Sequence, residues 1–254
     1  MEAREFYDGL VGTYDLMIPW EKRIAREEGF FRRIFEAAGA RRVLDAACGT
    51  GRHAVAFARM GFEAAGADVS PAMVEKARAH ASETGTRAEF RVAGFGGLAD
   101  AFRAPFDAVT CLGNSLPHLG GEAALRATLA DFRAVLRPGG VLVVQNRNYD
   151  RLLRERARFQ PPGGHGTPDG EVVFLRITDY ICEERVDFTI LTLTRSGGRW
   201  DLEARTTPLR PLRRSVLEAA LSEAGFREIG IFGGYGGEPY DAPGTQDLVA
   251  VARA

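Results

Sequence analysis

The segment Val43-Leu44-Asp45-Ala46-Ala47-Cys48-Gly49-Thr50-Gly51-Arg52-His53 is where this 254-residue chain first spaces its residues for chemistry. A short apolar run enters small residues and then a helical pattern through Phe57 and Ala58. Gly49 and Gly51 let the backbone turn tightly and approach a ligand without Cβ clashes. A helix N-terminus behind them favours anionic groups. The next strand pattern, Glu63–Ala67, ends at Asp68. A carboxylate there can accept from both hydroxyls of a ribose. The chemistry implied is capture of a nucleoside cofactor. Gly49-x-Gly51-x-x-Ala54 alone also fits a dinucleotide fingerprint, and Gly-rich turns after strands are common. Three features speak against a dinucleotide: Asp45 stands where such a site opens its phosphate turn with glycine, the loop starts only after about 40 residues that include a helix, and two strand candidates separated by a loop end the chain.

The elements that must position these residues alternate regularly. Apolar positions at helical spacing (Ile24, Phe30, Phe31, Ile34, Phe35) run over 20–38, and Gly39 ends them as a C′ glycine would. Ser70 reads as an N-cap and Pro71 as the first residue of a helix to about Ser82. Strand patterns recur at Ala88–Val92, Phe106–Cys111 and Val141–Gln145, with a helix over Glu122–Leu136. Strands and helices in this alternation imply βαβ units and a parallel sheet. The pattern then changes. An Arg-rich stretch and Pro161-Pro162-Gly163-Gly164 precede three runs, Glu171–Ile181, Arg185–Thr194 and Arg199–Thr207, that read as antiparallel strands. Ser196-Gly197-Gly198 joins the last two. A helix over Leu212–Ala224 and two strands, Glu228–Phe232 and Asp247–Val251, close the chain.

Composition narrows the function classes. The net charge of −1 argues against a nucleic-acid or anionic-membrane partner. No run of about 18 apolar residues and no basic-then-apolar leader predict a chain that neither spans nor enters a membrane. Cys48, Cys111 and Cys182 are odd in number and far apart, without metal-ligand spacing. Reduced thiols in a cytoplasm, and no metal site, are the expectation.

Asp45-Ala46-Ala47-Cys48-Gly49-Thr50-Gly51 resembles the first motif of class I S-adenosylmethionine-dependent methyltransferases. Cys111-Leu112-Gly113-Asn114-Ser115-Leu116-Pro117-His118-Leu119 and Arg147-Asn148-Tyr149-Asp150 are more particular. They resemble the glycine and glycine/sarcosine N-methyltransferase family, and the similarity covers about residues 5–150. The resemblance implies a Rossmann-like α/β sheet of seven strands whose last pair is antiparallel. It implies a cofactor domain over 1–150 and 208–254, with a small antiparallel β lobe inserted at 151–207. It implies S-adenosyl-L-methionine as cofactor, S-adenosyl-L-homocysteine as product and a small-molecule acceptor, and it leaves the oligomeric state open.

By the same resemblance, Asp45, Ala47, Cys48, Gly49 and Gly51 would form the loop against the methionine part of the cofactor. Asp68 and Val69 would meet the ribose side. Phe95 would stack on adenine, and Leu112, Gly113 and His118 would line the site. Tyr14 would cover it from the N-terminal segment, and Arg23 would meet the cofactor carboxylate. Asn114 and Arg147 match substrate positions, with Arg147 gripping an amino-acid carboxylate, and Asn114, His118 and Arg147 form the catalytic set. Without the resemblance, Asn114 reads as a turn residue, His118 as a helix-start histidine satisfied by backbone and Arg147 as a surface ion-pair partner. Two departures stand out. Gly94-Phe95 lacks the family's polar partner for the adenine amine. Phe188 and the Thr206/Thr207 pair stand where the family's lobe supplies tyrosines, and Tyr180 has no fixed place.

The reaction expected is in-line methyl transfer to nitrogen, in which placement of donor and acceptor can supply roughly 7–11 kcal/mol. An oxygen, sulfur or carbon acceptor, a dinucleotide-dependent oxidoreductase, and a non-catalytic cofactor-binding module stay open on the sequence.

Overall fold

The computed structural model describes residues 2–103, 105–167 and 170–254. A short helix α1 (Ala3–Asp8), a 3-10 turn at Tyr14–Met17 and the long α2 (Trp20–Ala37) precede the sheet. Then follow β1 (Arg42–Ala46), α3 (Arg52–Arg59), β2 (Glu63–Asp68), α4 (Pro71–Glu83), β3 (Ala88–Val92), the one-turn α5 (Leu98–Ala101), β4 (Phe106–Cys111), α6 (Glu122–Val135) and β5 (Leu136–Arg147). After α7 (Tyr149–Glu155) come β6 (Gly163–Thr167), β7 (Gly170–Cys182), β8 (Arg185–Ser196) and β9 (Arg199–Leu209). The chain ends with α8 (Arg214–Glu223), β10 (Arg227–Phe232) and β11 (Asp247–Arg253).

Local chemistry explains the borders. Gly39 takes φ +59° after α2, a left-handed conformation that ends a helix at little cost in glycine. Ser70 Oγ accepts from the Met73 N–H at 3.0 Å, with Pro71 at the first helical position. Gly197 and Gly198 both have positive φ, which a two-residue hairpin turn between twisted strands requires.

Seven strands form one sheet in the order β10-β11-β5-β4-β1-β2-β3. The first five in sequence pair in parallel, and β11 runs antiparallel to both β5 and β10. Chain order reverses between β1 and β4, so a crevice opens at the carboxyl ends of these strands, where ligands of such sheets sit. The core on either side explains why the sheet is stable: Phe132, Leu129 and Leu217 pack on one face, Phe31, Phe35 and Phe57 on the other. The four remaining strands make a separate antiparallel sheet, β6-β7-β8-β9. Phe6 and Leu10 pack with Val172, Phe174 and Ile190 of that sheet, so the N-terminal segment docks against it.

Sequence patterns missed α1, α5, α7 and β6. Each is short, and β6 (Gly-Gly-His-Gly-Thr) has no apolar alternation; it exists because β7 supplies its ladder partner. The arginines after β5 are a solvated face, as expected of an interrupted charge run. Arg151 and Arg154 pair with Glu155, Arg158 pairs with Asp179, and Arg156 lies over Tyr180.

Candidate active site

Loops after β1, β2, β3 and β4 converge on a cavity of about 320 Å³. Ala47, Cys48 and Gly49 supply one wall, Asp68 and Val69 the next, Gly94 and Phe95 the third, and Leu112 and Gly113 the fourth. Tyr14 and Arg23 close it from the N-terminal segment. The cover is held by ion pairs. Asp15 accepts from Thr50 Oγ1 at 2.6 Å and from Arg52 Nη2 at 2.7 Å. Burial raises the Asp15 carboxyl, but the Arg52 and Thr50 bonds prevail and hold it below the usual range.

Asp68 is fixed by its own loop. Oδ2 accepts from the Gly49 N–H and Oδ1 from the Ser70 N–H, each at 2.9 Å. Each carboxylate oxygen has two lone pairs, so one on each is left for a ligand diol. Burial holds this carboxyl above its ordinary pKa despite those two bonds. The part of the wall formed by Val69, Met73, Gly94, Phe95 and Leu98 is apolar, with Phe95 itself edge-on to Phe132 at 5.5 Å. None of these five side chains offers a hydrogen-bond partner of the kind the resemblance leads one to expect beside Phe95. Gly49 has φ +52°, and a Cβ there would sit 3.8 Å from the Tyr14 ring, inside the space the cover leaves open. Ala47 takes φ +98°, a strained value for any residue with a Cβ.

Two expected positions lie behind this wall. Asp45 is buried and accepts from Thr110 Oγ1 at 2.9 Å, so it braces β1 against β4. Gly51 takes φ +75° at the start of α3, where a Cβ would meet Ala77 at 2.7 Å and the Phe90 ring at 3.0 Å. Its glycine is required by helix packing, not by a ligand.

A second cavity of about 290 Å³ adjoins the first through Tyr7, Arg23, Gly113 and His118, which line both. His118 Nε2 lies 3.0 Å from Tyr7 Oη, and its Nδ1 is buried without a protein partner. Burial lowers this imidazole to about 4, so it is neutral at pH 7. Arg147 ends β5 at the wall of this cavity, and among the described residues its guanidinium has no ion-pair partner. Asn114 also lines it, but most of its amide is engaged. Its Oδ1 accepts from the Arg147 N–H at 3.0 Å and its Nδ2 donates to Tyr149 Oη at 3.0 Å. With φ +68°, Asn114 is a turn residue that locks β4 to the end of β5 and sets where Arg147 stands.

The lobe positions resolve differently from one another. Phe188 lines the second cavity, Thr206 is tied to Thr189 at 2.8 Å on the exterior, and Tyr180 Oη donates to the Ala157 carbonyl at 3.2 Å. Thr207 is buried, and neither it nor Tyr180 lines the cavity. Phenols reach the cavity from elsewhere, Tyr7 on α1 and Tyr235 in the loop after β10.

Sequence reasoning also missed Glu27 and His53. Glu27, fully buried on α2, accepts from Arg23 Nε at 2.9 Å and contacts His53 Nε2 at 2.8 Å. Burial opposes its ionisation, but His53 and Arg23 outweigh it and lower the carboxyl pKa. The Arg23/Glu27 spacing of four on a predicted helix was the available signal. This pair occupies Arg23 Nε and leaves its other N–H groups toward the cavities.

A strand-loop-helix crevice with a fixed carboxylate, an apolar stretch of wall and an adjoining chamber lined by charged groups can hold a nucleoside cofactor beside a second small molecule. A methyltransferase-domain family profile matches residues 43–140. The glycine/sarcosine N-methyltransferase of Parasynechococcus marenigrum (strain WH8102) is 33% identical over 91% of this chain and 79% of its own length. The chain belongs to that family of methyltransferases. Among solved structures, an S-adenosylmethionine-dependent methyltransferase from Clostridium acetobutylicum ATCC 824 superposes with a TM-score of 0.76 at 15% identity, over 98% of this chain and 97% of its own. It shares the fold. The sugar N-methyltransferase KedS8 from Streptoalloteichus sp ATCC 53650 gives 0.72 at 25% identity, over 95% and 93%.

Proposed function

We propose that the protein methylates the nitrogen of a small amine that carries an acid group. The observation that carries this reading is the second cavity, which adjoins the first at His118 and Tyr7, with the unpaired Arg147 guanidinium on its wall. The glycine/sarcosine N-methyltransferases and the sugar N-methyltransferase similar to this chain are all named for nitrogen acceptors, which supports the choice of atom.

The residues divide by role. Asp68 accepts the ribose hydroxyls with Val69 beside it, and Phe95 packs on the base. Ala47, Cys48, Gly49, Leu112 and Gly113 form the walls, and Tyr14 covers them. Arg23 meets the cofactor carboxylate. When bound, S-adenosyl-L-methionine supplies an electrophilic methyl on a sulfonium. The chain's task is then to place a neutral amine in line with it and exclude water. Arg147 can grip a carboxylate bidentately, and Asn114 fixes its backbone. His118, neutral and hydrogen-bonded to Tyr7, offers a dipole near the junction of the cavities. An imidazole lowered to about 4 is a weak base, and amine attack on a sulfonium needs none. The lobe at 151–207 and the N-terminal segment close the acceptor side. A chamber of this size suits a small molecule, not a nucleic acid or a membrane lipid face.

The test is a screen of amino acids and amines with methyl-labelled cofactor, followed by Arg147→Gln. Losing a charge-assisted carboxylate contact of about 1.5–3 kcal/mol should raise KM about 10- to 150-fold with kcat changed less. An unchanged KM removes Arg147 from the acceptor site, and a product methylated on oxygen or sulfur overturns the choice of nitrogen.

A further inference from the structure

The second cavity holds more positive charge than one carboxylate needs. Four arginines line it: Arg23, Arg26, Arg147 and Arg176. Arg23 and Arg26 share Glu27, at 2.9 and 3.5 Å. The other acid on the wall, Asp247, accepts from Gln145 Nε2 at 2.9 Å. Arg147 and Arg176 have no carboxylate partner among the described residues. Arg176 gives one N–H, from Nη2, to the Met17 carbonyl at 2.9 Å. Burial, and then the nearby charge of Arg147, depress its pKa.

Arg176 is not a stray surface arginine. In β7 the buried positions alternate as Val172, Phe174 and Thr178, and Arg176 holds the same parity. It therefore stands on the inward face of the lobe sheet, where an apolar residue is the default. Beside it, Gln160 Nε2 is buried on the same cavity wall with no partner among the described residues, and the Gln160 backbone N–H donates to the Arg176 carbonyl at 3.1 Å. Two half-buried guanidiniums and an orphan amide donor in one chamber repel or waste solvation unless an anion joins them. One carboxylate can be satisfied by Arg147 alone through a bidentate pair.

We infer that Arg176 is a specificity-determining residue which, with Arg147 and Gln160, holds the acid end of a dianionic acceptor amine, carrying either two carboxylates or one phosphonate or phosphate. This rests on the nitrogen-methylation reading above. It adds that a simple amino acid with one carboxylate is the poorer substrate.

The experiment uses the full chain saturated with S-adenosyl-L-homocysteine and titrates glycine, sarcosine, L-aspartate, L-glutamate and aminomethylphosphonate by calorimetry, with parallel methylation assays. At least one dianionic amine should bind about tenfold or more tightly than glycine, and the amino diacids against the phosphonate show which acid end fits. Arg176→Gln should cost that ligand about tenfold or more and change glycine and sarcosine by less than about threefold. Arg147→Gln should weaken every acidic amine. S-adenosyl-L-homocysteine affinity and the melting temperature of Arg176→Gln should stay near those of the parent. A fall in both would make Arg176 a strap for the Met17 segment and overturn the inference. Glycine binding as tightly as every dianion, with Arg176→Gln neutral, overturns it while leaving nitrogen methylation intact. Binding and methylation of none of the amines overturns both.

Discussion

Replacing Asp68 with Asn changes one atom and separates the two jobs of this side chain. The carboxylate accepts from the Gly49 and Ser70 N–H groups at 2.9 Å each, one per oxygen. An amide keeps one oxygen and turns the other into a donor, so one backbone N–H loses its acceptor. That loss acts on the free protein. A buried donor left unsatisfied costs about 1–3 kcal/mol, or roughly 2–4 °C of melting temperature per kcal/mol in a chain of this size. The amide also removes one of the two acceptors available to a ribose diol. A hydrogen bond to a charged acceptor is worth about 1.5–3 kcal/mol, so S-adenosyl-L-homocysteine should bind about 10- to 150-fold more weakly. Calorimetry on parent and Asp68→Asn, with the natural ligand and its 2′-deoxy analogue, forms a double-mutant cycle. If Asp68 holds the ribose, the hydroxyl deletion should cost the parent far more than the variant. Strictly additive losses, or affinity for S-adenosyl-L-homocysteine within about twofold of the parent, would refute the assignment and leave Asp68 as a loop brace.

Three further perturbations test the frame around the site. With His118 lowered to about 4 by burial against an ordinary 6.5, the unfolded chain gains a proton between those values that the folded chain does not. Stability should be full above pH 6.5 and fall by up to about 3 kcal/mol as pH drops to 4; a denaturation midpoint with the same pH slope in His118→Gln would show the imidazole is not its source. Glu27→Ala leaves Arg23 and His53 facing each other without the buried acid between them, so urea unfolding should show a loss of about 3 kcal/mol or more; a change below about 1 kcal/mol would mean the trio is not coupled. Ala47→Gly should relieve the strain of φ +98° and raise the melting temperature by a few degrees, worth about 1 kcal/mol after the extra entropy of glycine; a lower melting temperature would contradict the strain argument.

The fold was legible because its signals are local. The 3.6-residue apolar stripe of α2, the Ser70-Pro71 start of α4 and the Gly197-Gly198 turn each lie within one element. The loop Ala47–Gly49 and Asp68 were legible as neighbours in a candidate site for the same reason, since a strand end and the glycines after it are contiguous, and they line one cavity. Legibility failed where a residue's task is set by a distant partner. Asp45 and Gly51 belong to the motif but sit behind the wall, held by Thr110 in one case and by Ala77 and Phe90 in the other. Asn114 matches a substrate position, yet its amide is mostly used to join β4 to the end of β5. No local pattern marks Tyr7, which reaches His118 across 111 positions of sequence.

By itself the amino-acid order determined the alternating elements, the cofactor loop and the family, since hydrophobic period, glycine placement and contiguous motifs are properties of neighbours along the chain. Which charges are spent and which are free was set by folding. The Arg23–Glu27 pair is local to α2, but only the packing of α2 against α3 adds His53 to Glu27, while the end of β5 leaves the Arg147 guanidinium without an ion-pair partner among the described residues. Arg176 lines the second cavity because strand alternation turns it inward, where it meets the Met17 carbonyl of the N-terminal segment. A net free charge in a cavity is a sum over side chains from several elements, and that sum exists only once they are packed together.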